Sequence, residues 1–424
     1  MPKLTICIFS LMFFSFAGCK KKELDTSPTI TKISPSSGRA GDQVVINGTN
    51  FSSITSANEV KFNGVAAAVT AATEGKITAT VPVGATSGII TVSVSGKTAS
   101  SSTVFTILAN ESAHVYISGY RIETSMTVAK YWKDGSPVIL SQSNSVAEGA
   151  TSIAIGGDSD VYVVGNLYEQ PLSTMEYWKN GNLASIHNNT LMNANSIAVS
   201  GNDVYVAGFI SDSTLAYSAA VYWKNDSVYK LSAGAGVLFS AHAIIVEGSD
   251  VYVAWDLKNS NGNHIAKYSK NGVSVTLTDS SVDAHVTCIA VSGNDIYVGG
   301  FIDNLSNSTS RAVYWKNGSE VTLTDGTNTS TVTGIAISGN DVYFSGVEFN
   351  QGNTNPVAKY WKNGNAVVLG DGIASSTTSG IAISGSDVFV SGMENYHAKY
   401  WKNGTSVDIS NGSTLDRTTG IAVK

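Results

Sequence analysis

Charge is scarce in this chain. Asp, Glu, Lys and Arg make up 14% of the 424 residues and sum to a formal net charge of -6, which leaves no basic surface for nucleic-acid phosphates. Cysteine is scarcer still, with three copies. Cys7 and Cys19 fall in an N-terminal processing segment, so Cys288 has nothing to pair with and a disulfide framework within the monomer is excluded. Cys288 is expected to be a small apolar filler, because other repeats hold Gly, Ala or Ser at its position. The apolar run Leu4 to Phe16 is too short to span a bilayer. The histidines His114, His187, His242, His264, His285 and His397 are scattered without the close spacing of a zinc motif, and no calcium loop of EF-hand spacing occurs, although Asp279 and Asp303-Asn304 sit in loops of suitable composition. No metal and no cofactor is therefore expected.

What the chain has in abundance is repetition. Versions of Tyr-Trp-Lys-Asn-Gly occur seven times between residues 131 and 404, each preceded by a version of Asp-Val-Tyr-Val-x-Gly. The latter segments begin at His114, Asp160, Asp203, Asp250, Asp295, Asp341 and Asp387, with steps of 46, 43, 47, 45, 46 and 46 residues. A unit of this length cannot bury its own apolar face, and the period is that of a four-stranded propeller blade. The four strands, a to d, read as Gly334 to Ser338, Asp341 to Ser345, Ala358 to Lys362 and Ala366 to Leu369 in one unit, joined by Ser-Gly-Asn-Asp and Lys-Asn-Gly turns. The first unit lacks strand a, and the chain ends on an orphan strand a, Thr419 to Val423. Together these two pieces complete a blade, so residues 112 to 424 are expected to form a seven-bladed β-propeller closed by the C-terminal strand.

The N-terminus reads as a leader. Lys3, the apolar run and Phe16-Ala17-Gly18-Cys19 make up residues 1 to 19. The tetrapeptide resembles a bacterial lipobox, with phenylalanine where leucine is usual, and the resemblance implies lipidation of Cys19 and anchoring to a bacterial outer membrane. Residues 20 to 27 form a polar tether that begins with three lysines. Surface-displayed Bacteroidetes lipoproteins carry acidic residues there instead, so a cell-surface and a periplasmic orientation both stay open.

Between tether and repeats, residues 28 to 108 carry Pro28, Ile30, Ile33, Pro35, Gly38 and Gly41, then Val44-Val45-Ile46, Gly48 and Asn50-Phe51, then Val60-Lys61-Phe62-Asn63-Gly64, Val81-Pro82, Gly84-Ala85, Gly88, Ile90, Val92 and Val94. Alternating strands punctuated by turn residues point to a small β-sandwich. The set resembles the IPT/TIG family of immunoglobulin-like domains, which implies a spacer or recognition role without catalysis. The whole chain is thus expected to be all-β.

Function is expected on one face of the ring. The a to b and c to d turns are short and uniform, whereas the b to c segments vary: Ile210 to Ala219, Leu257 to Ile265, Ile302 to Arg311, Glu348 to Val357 and a short Glu394 to His397. Tyr120, Tyr168, Phe209, Tyr217, Phe239, Phe301, Phe349 and Tyr396 lie at that end. Aromatic faces beside Asn and Asp suit a sugar, though the same rings can simply cap the blade cores. The candidate ligand contacts are Tyr120, Tyr168, Tyr217, Trp255, Phe349 and Tyr396. Trp255 stands where other units have glycine while Ser269 replaces the repeated tryptophan, which fits either an added surface contact or an exchange of volume within the core. Asp212, Asp256, Asp303, Glu348 and Glu394 could supply a carboxylate pair for a propeller glycosidase or lyase, but nothing in their spacing selects one. The leading expectation is a noncatalytic envelope protein that binds a glycan. The alternative is a scaffold for another envelope or extracellular protein.

Overall fold

The computed structural model describes residues 26 to 424 apart from 109–112, 124–125, 141–146, 170–171, 186–190, 212–216, 236–238, 305, 307, 351, 353 and 411–414. The leader, Cys19 and the lysines of the tether lie outside the described residues. The chain divides into two units, Met1–Ser112 and Ala113–Lys424. Among the described residues no helix is long and apolar enough to cross a membrane.

The first unit is the expected sandwich. One sheet pairs Thr29–Ser34, Gln43–Thr49, Lys76–Thr80 and Val69–Thr73. The other pairs Ser37–Gly38, Lys97–Ile107, Gly88–Val94, Asn58–Phe62 and Val65–Ala67. Period-two alternation sends Val44, Ile46, Ile77 and Ala79 inward from one sheet and Val60, Phe62, Ile90, Val92 and Phe105 from the other. Phe62 and Phe105 meet edge to face at 5.1 Å. Gly48 is required where it stands, because a Cβ there would lie 1.8 Å from the Thr29 carbonyl oxygen and 2.4 Å from the Phe51 ring.

The second unit is a seven-bladed propeller, with seven four-stranded antiparallel sheets among the described residues. Blade 1 orders its strands as Leu415–Val423 (a), Val115–Ile122 (b), Thr127–Lys133 (c) and Ser136–Ile139 (d). The chain ends are thus joined as expected: Val115 pairs with Val423 and Ile122 with Leu415, and the backbones of His114 and Lys424 exchange hydrogen bonds of 2.8 and 3.1 Å. Blades 3, 4 and 5 matter most below. Blade 3 comprises Leu191–Ser200, Asp203–Ser211, Tyr217–Lys224 and Ser227–Ala235; blade 4 comprises Phe239–Glu247, Asp250–Lys258, His264–Lys270 and Val273–Thr276; blade 5 comprises Asp283–Ser292, Asp295–Asn304, Thr309–Lys316 and Ser319–Thr322.

Strands a and b run further toward the variable face than the sequence marks. In blade 6 they are Ser330–Ser338 and Asp341–Phe349, each four residues longer than the expected Gly334 to Ser338 and Asp341 to Ser345. The extra residues mix polar and apolar types without clean alternation, so the ladder rather than the pattern holds them. Each a strand also carries a β-bulge at one repeated position, where the unpaired residue is Thr419, Thr151, Asn195, His242, Thr287, Thr333 or Ser379 in blades 1 to 7. Several of these side chains link neighbouring blades: Asn195 Nδ2 donates to the Ala241 carbonyl at 2.8 Å, Thr333 and Thr378 hydroxyls meet at 2.6 Å, and Ser379 donates to Thr418 at 2.9 Å.

The repeated Asp, Lys and Asn form a clasp across the plain face. In blade 5, Asn317 and Gly318 take φ of 51° and 86°, the geometry of a two-residue hairpin that joins c to d. Asn317 Oδ1 accepts from the Ile296 amide at 2.9 Å and its Nδ2 donates to Asp295 at 2.8 Å, while Lys316 Nζ lies 2.7 Å from the same carboxylate and 5.2 Å above the Tyr297 ring. Blade 1 inverts the pair. His114 stands for the aspartate and Asp134 for the asparagine, 2.6 Å apart.

Candidate functional site

On the variable face, the ends of blades 3, 4 and 5 enclose a recess of about 250 Å³ lined by Phe209, Ser211, Ser218, Phe239, Ser240, His242, Asp256, His264 and His285. A second hollow of about 410 Å³ adjoins it on blade 5, with Asp283, Asp303, Asp325 and Arg311 in its wall. His285 links the two: it lines the first, and its Nε2 is 3.4 Å from Asp283 and 3.5 Å from Asp303, which line the second.

Each side chain reaches the recess for a local reason. His242 is the bulge residue of strand a in blade 4, turned out of the ladder where six other blades place a hydroxyl or an amide. Asp256 follows Trp255 on strand b, opposite Ser240. His264 opens strand c, and its backbone amide donates to Asp283 at 2.7 Å, tying blade 4 to blade 5. His285 lies at the start of strand a in blade 5, stacked on Phe301 at 4.6 Å and facing the His264 ring at 4.2 Å.

Asp256 is 3% exposed, a carboxylate taken almost fully from water. Burial alone would raise its pKa, but the His242 and His264 rings outweigh burial and hold the carboxyl well below its ordinary range. His264 Nδ1 is 3.3 Å from Asp256 Oδ1 and hydrogen-bonds to it. His242 Nε2 is 3.0 Å from Asp256 Oδ2, and both atoms are buried with no other polar partner among the described residues. Burial and the adjacent His264 ring push the His285 pKa down, and burial pushes the Asp303 carboxyl up.

The residues expected to contact a ligand do not assemble here. Tyr120 is half-buried on blade 1, and Phe349 is half-buried at the end of strand b in blade 6. Tyr396 is 67% exposed in the short blade 7 turn with φ of 66°. Tyr168 and Tyr217 fall at strand ends of blades 2 and 3, with side chains outside the described ones. Of the two readings of Trp255, the exchange of volume within the core is the one the structure fits and the surface contact is not: the side chain is 2% exposed and packs with Tyr205, Tyr222, Phe239 and Val253. Of the candidate carboxylates, Asp256 and Asp303 reach the site, Glu348 and Glu394 are engaged by Lys359 and Lys399 at 2.5 and 2.6 Å, and Asp212 lies outside the described residues. Cys288 is buried and its thiol pKa is pushed up to about 12, which makes it an inert filler.

Sequence spacing hid the histidine cluster. His242, His264 and His285 stand 22 and 21 residues apart, far too distant for a local motif but about half a blade period each. In an array of this period, the starts of an a strand, the next c strand and the next a strand share one rim, so placing histidines on the strand map brings them together.

Residues 28–107 match the IPT/TIG domain model, in agreement with the sandwich. No curated protein matches the chain. Among solved structures, the chain is similar to a structural genomics protein of unknown function from Bacteroides thetaiotaomicron VPI-5482, with 13% identity and a TM-score of 0.38 over 95% of this chain and 99% of that one. It is also similar to auxiliary nutrient binding proteins from Bacteroides thetaiotaomicron VPI-5482 (11% identity, TM-score 0.32, 94% and 98% covered) and Bacteroides ovatus ATCC 8483 (13%, 0.28, 94% and 98%). Likeness at these levels carries no statement about ligand or role.

Proposed function

We propose that this protein is a noncatalytic, lipid-anchored binding protein of a bacterial envelope, which holds a glycan in the recess of blades 3 to 5. The observation that supports the reading is the mixture in that wall: the Phe209 and Phe239 rings stand beside the Ser211, Ser218 and Ser240 hydroxyls and the His242, Asp256 and His264 side chains. A pyranose offers C–H faces to the former and hydroxyls to the latter. The volume of about 250 Å³ is just below that of small-molecule sites, which run from roughly 300 to 1,000 Å³, so a terminal sugar or a single ring within a chain fits it best.

An array of polysaccharides probed with the full chain purified in detergent tests this. Binding is expected, and Phe209→Ala, with melting temperature checked, is expected to weaken it by about tenfold, the scale of one lost apolar contact of 1–2 kcal/mol. Absence of binding to every glycan overturns the reading in favour of a protein-binding scaffold, and release of shortened product overturns it in favour of an enzyme. Anchoring has its own test: incorporation of a labelled fatty acid in cells, abolished by Cys19→Ala. Label retained in that variant refutes lipidation at Cys19.

A further inference from the structure

The structure assigns a site for a divalent transition-metal ion of the zinc class to the floor of the blade 3 to 5 recess, with Asp256, His264 and His285 as its ligands. The donor atoms of these three side chains all lie within 4.8 Å of one another. Ligands of a tetrahedral ion bound at about 2.0–2.1 Å stand roughly 3.3 Å apart, and His264 Nδ1 and Asp256 Oδ1 are already 3.3 Å apart. One edge of the coordination figure is therefore in place, and modest rotation of the partly exposed His285 ring completes a face.

A cluster of histidines and aspartates can exist only to satisfy itself, but this one does so only in part. Asp256 Oδ2 and His242 Nε2 are buried with no partner but each other, 3.0 Å apart, and a carboxylate removed from water with so few partners is costly. The carboxylate belongs to a side chain 97% buried that lines the recess. A cation on Asp256 Oδ1 neutralises this buried charge and leaves Oδ2 to the His242 ring.

The surroundings resemble those that hold metal ligands in place. Asp283 and Asp303 flank His285 Nε2 at 3.4 and 3.5 Å, and an imidazole whose one nitrogen faces carboxylates presents the other, in a fixed tautomer, to an ion. His242 Nε2, 3.0 Å from Asp256 Oδ2, stands behind the carboxylate on the side away from His264 Nδ1, which meets Oδ1. Two nitrogen donors and one oxygen donor select zinc, nickel, copper or cobalt over calcium and magnesium, which prefer oxygen alone. With three protein ligands, the fourth position opens into the recess, where water or a ligand oxygen occupies it. Blade 4 alone places histidine at the bulge and aspartate beside the glycine position of strand b; the corresponding strand b residues elsewhere are Tyr120, Asn166, Phe209, Phe301, Val347 and Met393. The cluster is thus an addition to the repeat rather than part of its common packing.

The site does not rest on the glycan reading, and its test uses metal alone. Untagged full chain is purified in detergent, stripped with EDTA and titrated with Zn²⁺ by calorimetry, with bound metal counted by elemental analysis and Co²⁺ used as a spectroscopic substitute. One equivalent of Zn²⁺ is expected, together with Co²⁺ absorption in the visible. His264→Ala is expected to lower affinity by more than about 100-fold and His242→Gln by about tenfold, the range seen for ligands and their outer partners. Asp256→Asn and His285→Gln preserve volume and guard against misfolding; their melting in EDTA should match the parent while Zn²⁺ uptake is lost. The assignment is overturned if the parent takes up no stoichiometric Zn²⁺ at millimolar metal, or if His285→Gln with unchanged melting binds it as the parent does.

Discussion

Trp255 and Ser269 reverse an arrangement used by their neighbours. In blades 1, 2, 6 and 7 a Cβ on the strand b glycine would come within 2.6 to 3.0 Å of the strand c indole (Gly119 with Trp132, Gly165 with Trp178, Gly346 with Trp361, Gly392 with Trp401) and nearer still, 1.9 to 2.5 Å, to a strand a carbonyl oxygen, so glycine there makes room for the bulged backbone as well as for tryptophan. In blade 4 the indole arrives from strand b instead, and Ser269 pairs with Val253, two residues before Trp255 on the same sheet face. Trp255→Gly should therefore open a large cavity and cost about 3–5 kcal/mol. Adding Ser269→Trp rebuilds the pattern of the other blades and should recover most of the loss, as read by urea unfolding of both variants. A double variant as unstable as the single one would refute the exchange. The sequence displayed both departures but left their meaning open, because only the strand register shows that the two positions share one space.

At the level of the element, the clasp of each hairpin was legible in outline. Repeated Asp, Lys and Asn announced turn chemistry, and strand geometry supplies the pairing: Asn Oδ1 accepts from the second amide of strand b, and Lys and Asn share the aspartate, in blades 2 to 7. The Lys and Asn hydrogen bonds hold Asp160, Asp203, Asp250, Asp295, Asp341 and Asp387 below the ordinary carboxylate value of 3.8. A depressed carboxyl stabilises the fold at pH above its unfolded value and loses that contribution as pH falls through the folded one. Melting temperature should hold level as pH falls toward 4 and then drop steeply as the clasps protonate together, with a shallower drop in Asp295→Asn. A melting temperature unchanged from pH 5 to pH 3 would show that these ion pairs, each exposed and weak alone, contribute nothing as a set. The outer halves of strands a and b, by contrast, were not legible, since Thr331 or Glu348 carries no alternation to mark them and only pairing with a neighbour makes them strand.

The whole molecule depends on one non-local pairing, and the sequence revealed it through its ends: a first repeat without strand a and a last segment with nothing else. Strand Leu415–Val423 pairs along all of Val115–Ile122. It also brings Asp416, 2% exposed, against Lys130, which is fully buried over the Trp132 ring. The histidine site was illegible for the same structural reason that made closure legible, since both join residues from different blades, but only the ends leave a strand visibly missing. Removing residues 415–424 should therefore do two kinds of damage. It exposes a long edge on strand b of blade 1, which invites pairing with another chain, and it removes Asp416 from Lys130 together with the packing of Ile421 and Val423 on the cluster of Ile117 and Trp132, a loss of about 3–5 kcal/mol. At roughly 2–4 °C per kcal/mol for a unit of this size, the truncated chain should melt about 10 °C lower and elute as oligomers in size exclusion with light scattering. A synthetic peptide of residues 415–424 should restore the monomer by occupying the vacant edge. A truncated chain that stays monomeric, melts like the parent and ignores the peptide would mean that six blades and a three-stranded remnant close without the zipper, and that the ring is held by inter-blade packing alone.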